Sequence, residues 1–278
     1  MAYEYDHDCP FEAFITNLGK YNEGELVGEW VKFPTTSEEL QKVFEILNLS
    51  YDENKNRQYQ EYMEGILEWN EHVNLTAIKD RDEFIEKHYI DSLLCAGSPE
   101  FRRANTIIDV GTGGGFPGIP LAVAFPEKQF TLMDSLNKRI RIIQKLCEEL
   151  GIENVNAIHG RAEELGRKKH LRESFDLCVS RAVANMSTLS EYCLPFVKVG
   201  GCFIAYKGPD CEEELIAAEN AIDLLGGSIS RRENFASVGI SENSGSELGH
   251  QLIFVSKIKP VMSKFPRKPG TPSKEPIK

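Results

Sequence analysis

No run in this chain approaches the ~18 consecutive apolar residues that a membrane-spanning helix requires, so a membrane protein is not expected. The opening stretch, MAYEYDHDCPFEAF, has no basic start and no apolar core, and does not read as a secretion signal. The seven cysteines are odd in number and scattered over positions 9, 95, 147, 178, 193, 202 and 211, with no C-x-x-C pair. That spacing argues against a zinc site and against a disulfide framework. Cys178 and Cys202 fall inside apolar strand-like runs, which points to buried free thiols and a reducing cytoplasm. No metal site and no internal repeat is expected.

What is present is a globular composition, 278 residues of which 41% are hydrophobic and 27% charged. That is enough for one large α/β domain with a small appendage. A net charge of −11 disfavours nucleic acid taken alone, but its distribution is uneven. From Lys257 onward seven Lys/Arg stand against one acid, whereas Met1 to Thr35 carries seven acids against two lysines. Because screening limits charge reach to ~8–10 Å, an acidic body with a basic tail can still grip phosphate locally.

Residues 1 to about 36 show no sustained period. Helices are expected over 38–48, 54–73 and 80–96, so the first hundred residues read as helical. Strands then follow at 105–110, 129–134, 154–158, 175–180, 200–206, 228–234 and 250–257. Helical segments fall between most of them, at 117–125, 136–150, 161–169, 186–196 and 210–225. The β-α alternation predicts a parallel, doubly wound sheet, its last two strands forming an antiparallel hairpin. The segment KFPRKPGTPSKEPIK, rich in Pro and Lys, reads as a loose tail.

The first strand of that alternation ends at Asp109, and Gly111, Gly113, Gly114 and Gly115 follow within six residues. Such a loop lets backbone approach a ligand closely. Asp134 closes the next strand, where an acid is placed to accept hydrogen bonds from both hydroxyls of a ribose. Gly113-x-Gly115-x-x-Gly118 matches the dinucleotide fingerprint formally, but Asp109 weighs against a pyrophosphate. At ~4 Å and an effective dielectric near 20, one charge pair is worth on the order of 4 kcal/mol. A cationic nucleoside, S-adenosylmethionine, turns that penalty into attraction and is preferred over NAD. After the third strand, HGRAEEL offers Glu163 or the Ala162 amide to the adenine edge.

The segment after strand 175–180 reads SRAVANM, not the Asn/Asp-Pro-Pro-aromatic loop that helps methylate exocyclic amines, and no cysteine follows a proline for attack at pyrimidine C5. The acceptor is therefore expected to be already nucleophilic, as guanine N7 is. Catalysis is then mostly alignment and electrostatics. Arg181 and Lys207 lie just past the C-terminal ends of two strands, where open α/β sheets bind ligands. EWNEHVNLT puts Asn70 and Asn74 one helical turn apart, and EKHYIDSL sets His88 and Asp91 where an imidazole and a carboxylate can touch. Lys138, Arg141 and Lys145 share a helical face that can meet phosphates. Arg139 beside them is a further substrate-binding candidate. Against each stands a plainer reading: caps, a structural pair, a solvated face.

The ordered set EWNEHVNLTAI, KHYIDSL, DVGTGGGFPGIPLA, LMDSLNKR, GRAEEL, SRAVA, YKG and FPRKPGTPSKEPI resembles the bacterial small-subunit rRNA guanine-N7 methyltransferases, also called the RsmG or glucose-inhibited division protein B family. The resemblance runs from about Glu38 to the C-terminus. It implies a class I S-adenosylmethionine-dependent methyltransferase fold: a Rossmann-like, seven-stranded, mostly parallel sheet whose last strand is antiparallel, after a helical N-terminal segment. It implies S-adenosylmethionine as donor and a guanosine in the decoding-site hairpin of 16S rRNA as acceptor, offered as rRNA or 30S subunit; a monomer is expected. It places Gly111, Phe116, Asp134, Ala162, Glu163 and Arg181 at the donor. The organisation expected is an extension over 1–37, a helical segment over 38–100, a methyltransferase domain over 101–258 and a basic tail over 259–278.

Overall fold

A computed structural model describes residues 11–16, 28–33, 41, 44–45, 49–181, 184–238 and 249–278, with backbone alone at 11–16, 28–33, 235–238 and 249–250. The strands are β1 (Phe11–Thr16), β2 (Gly28–Phe33), β3 (Thr106–Val110), β4 (Gln129–Asp134), β5 (Val155–His159), β6 (Phe175–Ser180), β7 (Val197–Lys207), β8 (Gly227–Val238) and β9 (Gly249–Lys257). They form one sheet in the order β2-β1-β8-β9-β7-β6-β3-β4-β5. β5, β4, β3, β6 and β7 run parallel, and β9 inserts antiparallel between β7 and β8. This is the expected seven-stranded, mostly parallel sheet. β1 and β2 extend its antiparallel edge as a hairpin, β1 pairing Glu12 with Val238 and Ala13 with Ser237. Their six-residue sequences interrupt apolar alternation, so they carry a weak strand signal.

Helices are α1 (Glu53–Asn70), α2 (Arg81–Phe84), α3 (Asp91–Leu93), α4 (Pro99–Arg103), α5 (Gly118–Ala124), α6 (Asn137–Leu150), α7 (Ala162–Leu165), α8 (Met186–Cys193), α9 (Glu212–Leu224) and α10 (Thr271–Lys274). A π-helical stretch, Ile85–Ile90, joins α2 to α3. Local chemistry sets the boundaries. The Asp52 side chain accepts from Lys55 N at the start of α1. Gly151, at φ 64°, closes α6, donating to the Cys147 and Glu148 carbonyls. Central β3 is buried from Ile107 to Val110, as a parallel strand covered on both faces must be. Among the described residues no helix is long and apolar enough to cross a membrane. The helix expected over 38–48 falls mostly outside the described residues, as does Cys9.

The N-terminal helical layer is part of the same core. Tyr59, Tyr62, Met63, Ile66, Phe84 and Tyr89 pack with Phe116, Ile119 and Leu121. Its tyrosine hydroxyls are screwed into backbone: Tyr59 donates to Pro120 O at 2.7 Å and Tyr62 to Gly114 O at 2.9 Å. The site loop is thereby braced from behind.

The C-terminal residues are not a loose tail. Val261, Phe265 and Pro272 are buried, and Arg172 donates to the carbonyls of Val261 and Phe265 at 2.9 and 2.8 Å. Lys257 is enclosed, its ammonium on Glu173 Oε1 at 2.8 Å and on the Leu194 and Val197 carbonyls. Lys259 pairs with Asp223, and Arg267 pairs with Glu191. Lys264, Lys268, Lys274 and Lys278 stay exposed. Composition suggested disorder because the anchors are backbone carbonyls and partners 36 to 93 residues away, which no local window contains.

Candidate active site

A cavity of about 500 Å³ opens beyond the C-terminal ends of β3 and β4, lined by Gly111, Thr112, Gly113, Gly114, Phe116 and Asp134 and faced by His88, Arg139, Gly160, Arg161, Ala162, Glu163, Arg181 and Tyr192. Its volume lies in the small-molecule range of ~300–1,000 Å³. Gly111 and Gly113 take φ of 78° and 60°, a turn that glycine adopts freely, and their N–H groups donate within the chain to Met133 O at 2.9 Å and Asp134 Oδ2 at 3.0 Å. Gly115, at φ 93°, is packed so closely that an added Cβ would sit 2.3 Å from the Tyr62 hydroxyl.

The loop is shaped by Asp109, and here one expectation is corrected. The carboxylate does not face the cavity. It is wholly buried behind the loop, with Oδ2 accepting from Thr112 Oγ1 at 2.6 Å and from Gly118 N at 2.9 Å. Burial pushes its pKa up to about 6 against the pull of those two hydrogen bonds. Among the described residues Oδ1 has no hydrogen-bond partner. The Gly118 N–H in the first turn of α5 needs an acceptor at this point, and that demand settles the orientation.

Asp134 does line the cavity. Its Oδ2 accepts from Gly113 N at 3.0 Å and its Oδ1 from Leu136 N at 2.8 Å, so the carboxylate is fixed between the loop and the start of α6. Arg139 reaches the same Oδ2 at 3.4 Å and donates to Asn74 O at 3.2 Å. Across the cavity, Glu163 is 5% exposed and accepts from Gly270 N at 2.9 Å. Ala162 precedes it, at the start of α7.

The opposite wall is one polar cluster. Arg181 donates Nη1 to Asp91 Oδ2 at 2.6 Å and to Lys87 O at 2.7 Å, and Nη2 to His88 Nδ1 at 2.9 Å. A guanidinium can only donate, so Nδ1 is an acceptor and the proton of His88 sits on Nε2, facing Thr76 Oγ1 at 2.7 Å. The imidazole stacks on Phe116 at 4.2 Å with the rings 5° from parallel. Burial, with the Arg181 charge second, lowers its pKa to about 3. His88 is therefore a neutral spacer hydrogen-bonded at both nitrogens, and not a general base. Asp91 pairs with Arg181, and its charge also acts on the imidazole, so the expected His88–Asp91 pair is joined through the guanidinium.

Other expected residues are placed elsewhere. Lys207 does not line the cavity; its ammonium binds Glu214 at 2.6 Å and Ala184 O at 3.0 Å, tying the segment after β6 to α9. α1 ends at Asn70, whose Oδ1 accepts from Leu75 N and Thr76 N at 2.8 and 3.0 Å. Asn74 thus lies in the turn beyond and shares no helical face with it. Lys138 is exposed at the start of α6, while Lys145 sits over the Trp69 ring at 5.1 Å. Sequence reasoning missed Thr76, Tyr192 and Arg161. Arg161, directly after Gly160 at the end of β5, was the one with a local signal.

Residues 55–238 match a family model described as GidB, rRNA small subunit methyltransferase G. A ribosomal RNA small subunit methyltransferase G of Alkaliphilus metalliredigens is 49% identical over 232 residues, 84% of this chain and 95% of the relative. One of Clostridium botulinum (strain Eklund 17B) is 52% identical over 217 residues, 78% of this chain and 88% of its own. Among solved structures, M. jannaschii TYW2 in complex with AdoMet aligns over 66% of this chain and 80% of its own, with a TM-score of 0.48 and 15% identity. With its family model spanning well over half of the sequence, and relatives half identical over nearly their full length, the chain belongs to the rRNA small subunit methyltransferase G (GidB) family.

Proposed function

We propose that this protein transfers a methyl group from S-adenosylmethionine to N7 of a guanosine in the decoding-site hairpin of 16S rRNA, acting in the cytoplasm as a monomer. Family membership carries the donor and the rRNA substrate. The cavity fits the donor: a wall of glycines without side chains, a fixed carboxylate at the end of β4 where a ribose is held, and a second carboxylate at the far end for an adenine amine. When bound, S-adenosylmethionine supplies an electrophilic methyl group on a cationic sulfur.

The observation that favours N7 is the state of the lining groups. His88 is neutral with both nitrogens engaged, Asp134 and Glu163 each accept backbone N–H bonds, and the six described cysteines are buried away from the cavity. No lining group is set up to take a proton or to attack carbon. An acceptor with a free lone pair needs neither. The chain's part is then to align the acceptor with the carbon–sulfur bond and to exclude water. Phe116, stacked on His88, and Tyr192 line the cavity, where aromatic rings would favour a cationic group. Asp109 holds the loop, and Asp134 orients the ribose. Arg181, paired to Asp91, is the cation nearest the acceptor side. The exposed Lys138, Arg161, Lys264, Lys268 and Lys274 meet RNA phosphates.

Calorimetric titration with S-adenosylhomocysteine, with NAD as control, tests the donor; binding of NAD in its place would overturn it. Transfer of labelled methyl to ribosomal RNA tests the substrate.

A further inference from the structure

Glu191 lies in the middle of α8 and is completely buried. The Arg267 backbone N–H donates to its Oε1 at 2.6 Å, Nε reaches both oxygens at 3.0 Å, and Nη2 donates to Oε2 at 2.7 Å. This bidentate fork is the strong geometry for Arg and carboxylate. Three residues further on, Gly270 donates its N–H to Glu163 Oε1 at 2.9 Å, and Thr188 of α8 donates to Pro272 O at 2.9 Å. Gly270 has φ 81° and an added Cβ there would touch nothing, so the backbone turn, not crowding, requires glycine.

Both helices gripped by this segment form the cavity wall. α7 contributes Ala162 and Glu163, and α8 contributes Leu189 and Tyr192. The grip of the C-terminal segment falls on one end of the cavity, the end assigned above to the adenine.

We propose that residues 267–272 are a built-in part of the donor site, in which the Arg267–Glu191 clasp presents the Gly270 amide to Glu163 and so fixes that carboxylate for the adenine amine. Arg267 and Gly270 are positioning residues. They touch Glu163 or its support, and not the reacting atoms. The inference rests on the functional reading above. A glutamate side chain ordered before the donor arrives loses less freedom on binding than a mobile one. A hydrogen bond to one oxygen also sets the plane of the other, which gives selectivity for an amine over a carbonyl at the purine edge.

The experiment uses the full chain. Arg267→Ala strands a buried charge and risks unfolding, so the informative variant is Glu191→Leu with Arg267→Leu, which removes both charges. Arg267→Lys, which keeps the charge pair without the fork, is the conservative partner. Affinities for S-adenosylhomocysteine and S-inosylhomocysteine, which differ at the purine edge in amine against carbonyl and in the proton on N1, are read by calorimetry, alongside KM and kcat with rRNA. The expected result for the double variant is a donor KM about tenfold higher, ~1.4 kcal/mol, kcat at saturating donor held within twofold, and loss of the preference for adenine. Arg267→Lys falls between it and wild type. A folded double variant that binds both ligands as wild type does would overturn the clasp's role. Wild-type protein that binds neither ligand would overturn the functional reading and this inference with it.

Discussion

Arg181 and His88, 93 residues apart in sequence, meet through a 2.9 Å contact from guanidinium Nη2 to imidazole Nδ1. That contact decides the chemistry of the acceptor wall. It makes the imidazole an acceptor at Nδ1 and opposes its protonation, while the Asp91 carboxylate holds the guanidinium in place at 2.6 Å. The wall therefore shapes and charges the site without supplying a base.

Arg181→Lys should fold but lose at least tenfold in kcat/KM. A lysine keeps the charge beside Asp91 yet cannot fork to Asp91, Lys87 O and His88 together. Arg181→Ala removes the cation beside a carboxylate 7% exposed and should cost about 3–5 kcal/mol in denaturant unfolding. Full methylation by either variant would remove Arg181 from the site.

His88 should remain neutral in the folded protein down to about pH 4, since its pKa is lowered to about 3. The unfolded chain takes up that proton near pH 6.5. Between those values the unfolded state binds more protons, so the His88 contribution to stability is present above about pH 6.5 and is lost as pH falls toward 3. Imidazole nitrogen shifts should show the Nε2–H tautomer throughout pH 5–8. A titration near 6.5 in the folded enzyme would contradict this.

Asp109 has the opposite sign. Its folded pKa, about 6, stands above the unfolded value, so its contribution to stability is fully present below about pH 4 and fades as pH rises through 6. Ionisation over the same interval adds a negative charge behind the loop, so donor affinity should rise between pH 5 and 7. Asp109→Asn should flatten that rise.

Most of the strands from β3 to β9 were legible as short apolar runs, which parallel strands buried on both faces carry strongly, whereas the polar β8, GSISRRENFASV, was legible mainly from its place before β9. The glycine loop and Asp134 were legible for the same reason: strand ends locate them. Less was readable about where the polar side chains turn. Asn70, Lys207 and Asp109 all bind this chain's own backbone or neighbours, and nothing within ten residues distinguishes a residue that caps from one that waits for a ligand. The C-terminal clasp was hidden likewise, because Glu191 and Arg267 lie 76 residues apart.

Two glycine variants separate steric from ligand effects. Gly115→Ala should destabilise the protein by overpacking, roughly 1–3 kcal/mol, because the new Cβ meets Tyr62 and Ile119 at 2.3 and 2.7 Å. Gly113→Ala meets no protein atom within 4 Å. It should cost only the ~1–2 kcal/mol of a left-handed alanine while abolishing donor binding. Thermal melts with and without S-adenosylhomocysteine check both.

Replacing Lys264, Lys268 and Lys274 with alanine should weaken RNA binding uniformly across sequences. The slope of log K against log salt should fall by roughly 2, at ~0.7 for each phosphate contact in single-stranded RNA. An unchanged slope would exclude the C-terminal segment from the RNA interface.

The most direct measurement is transfer of labelled methyl from S-adenosylmethionine to 30S subunits that lack the modification, followed by digestion and nucleoside analysis. Label recovered as 7-methylguanosine from the decoding-site hairpin is the predicted result. Donor binding with no label in RNA, or label on another nucleoside, would contradict it.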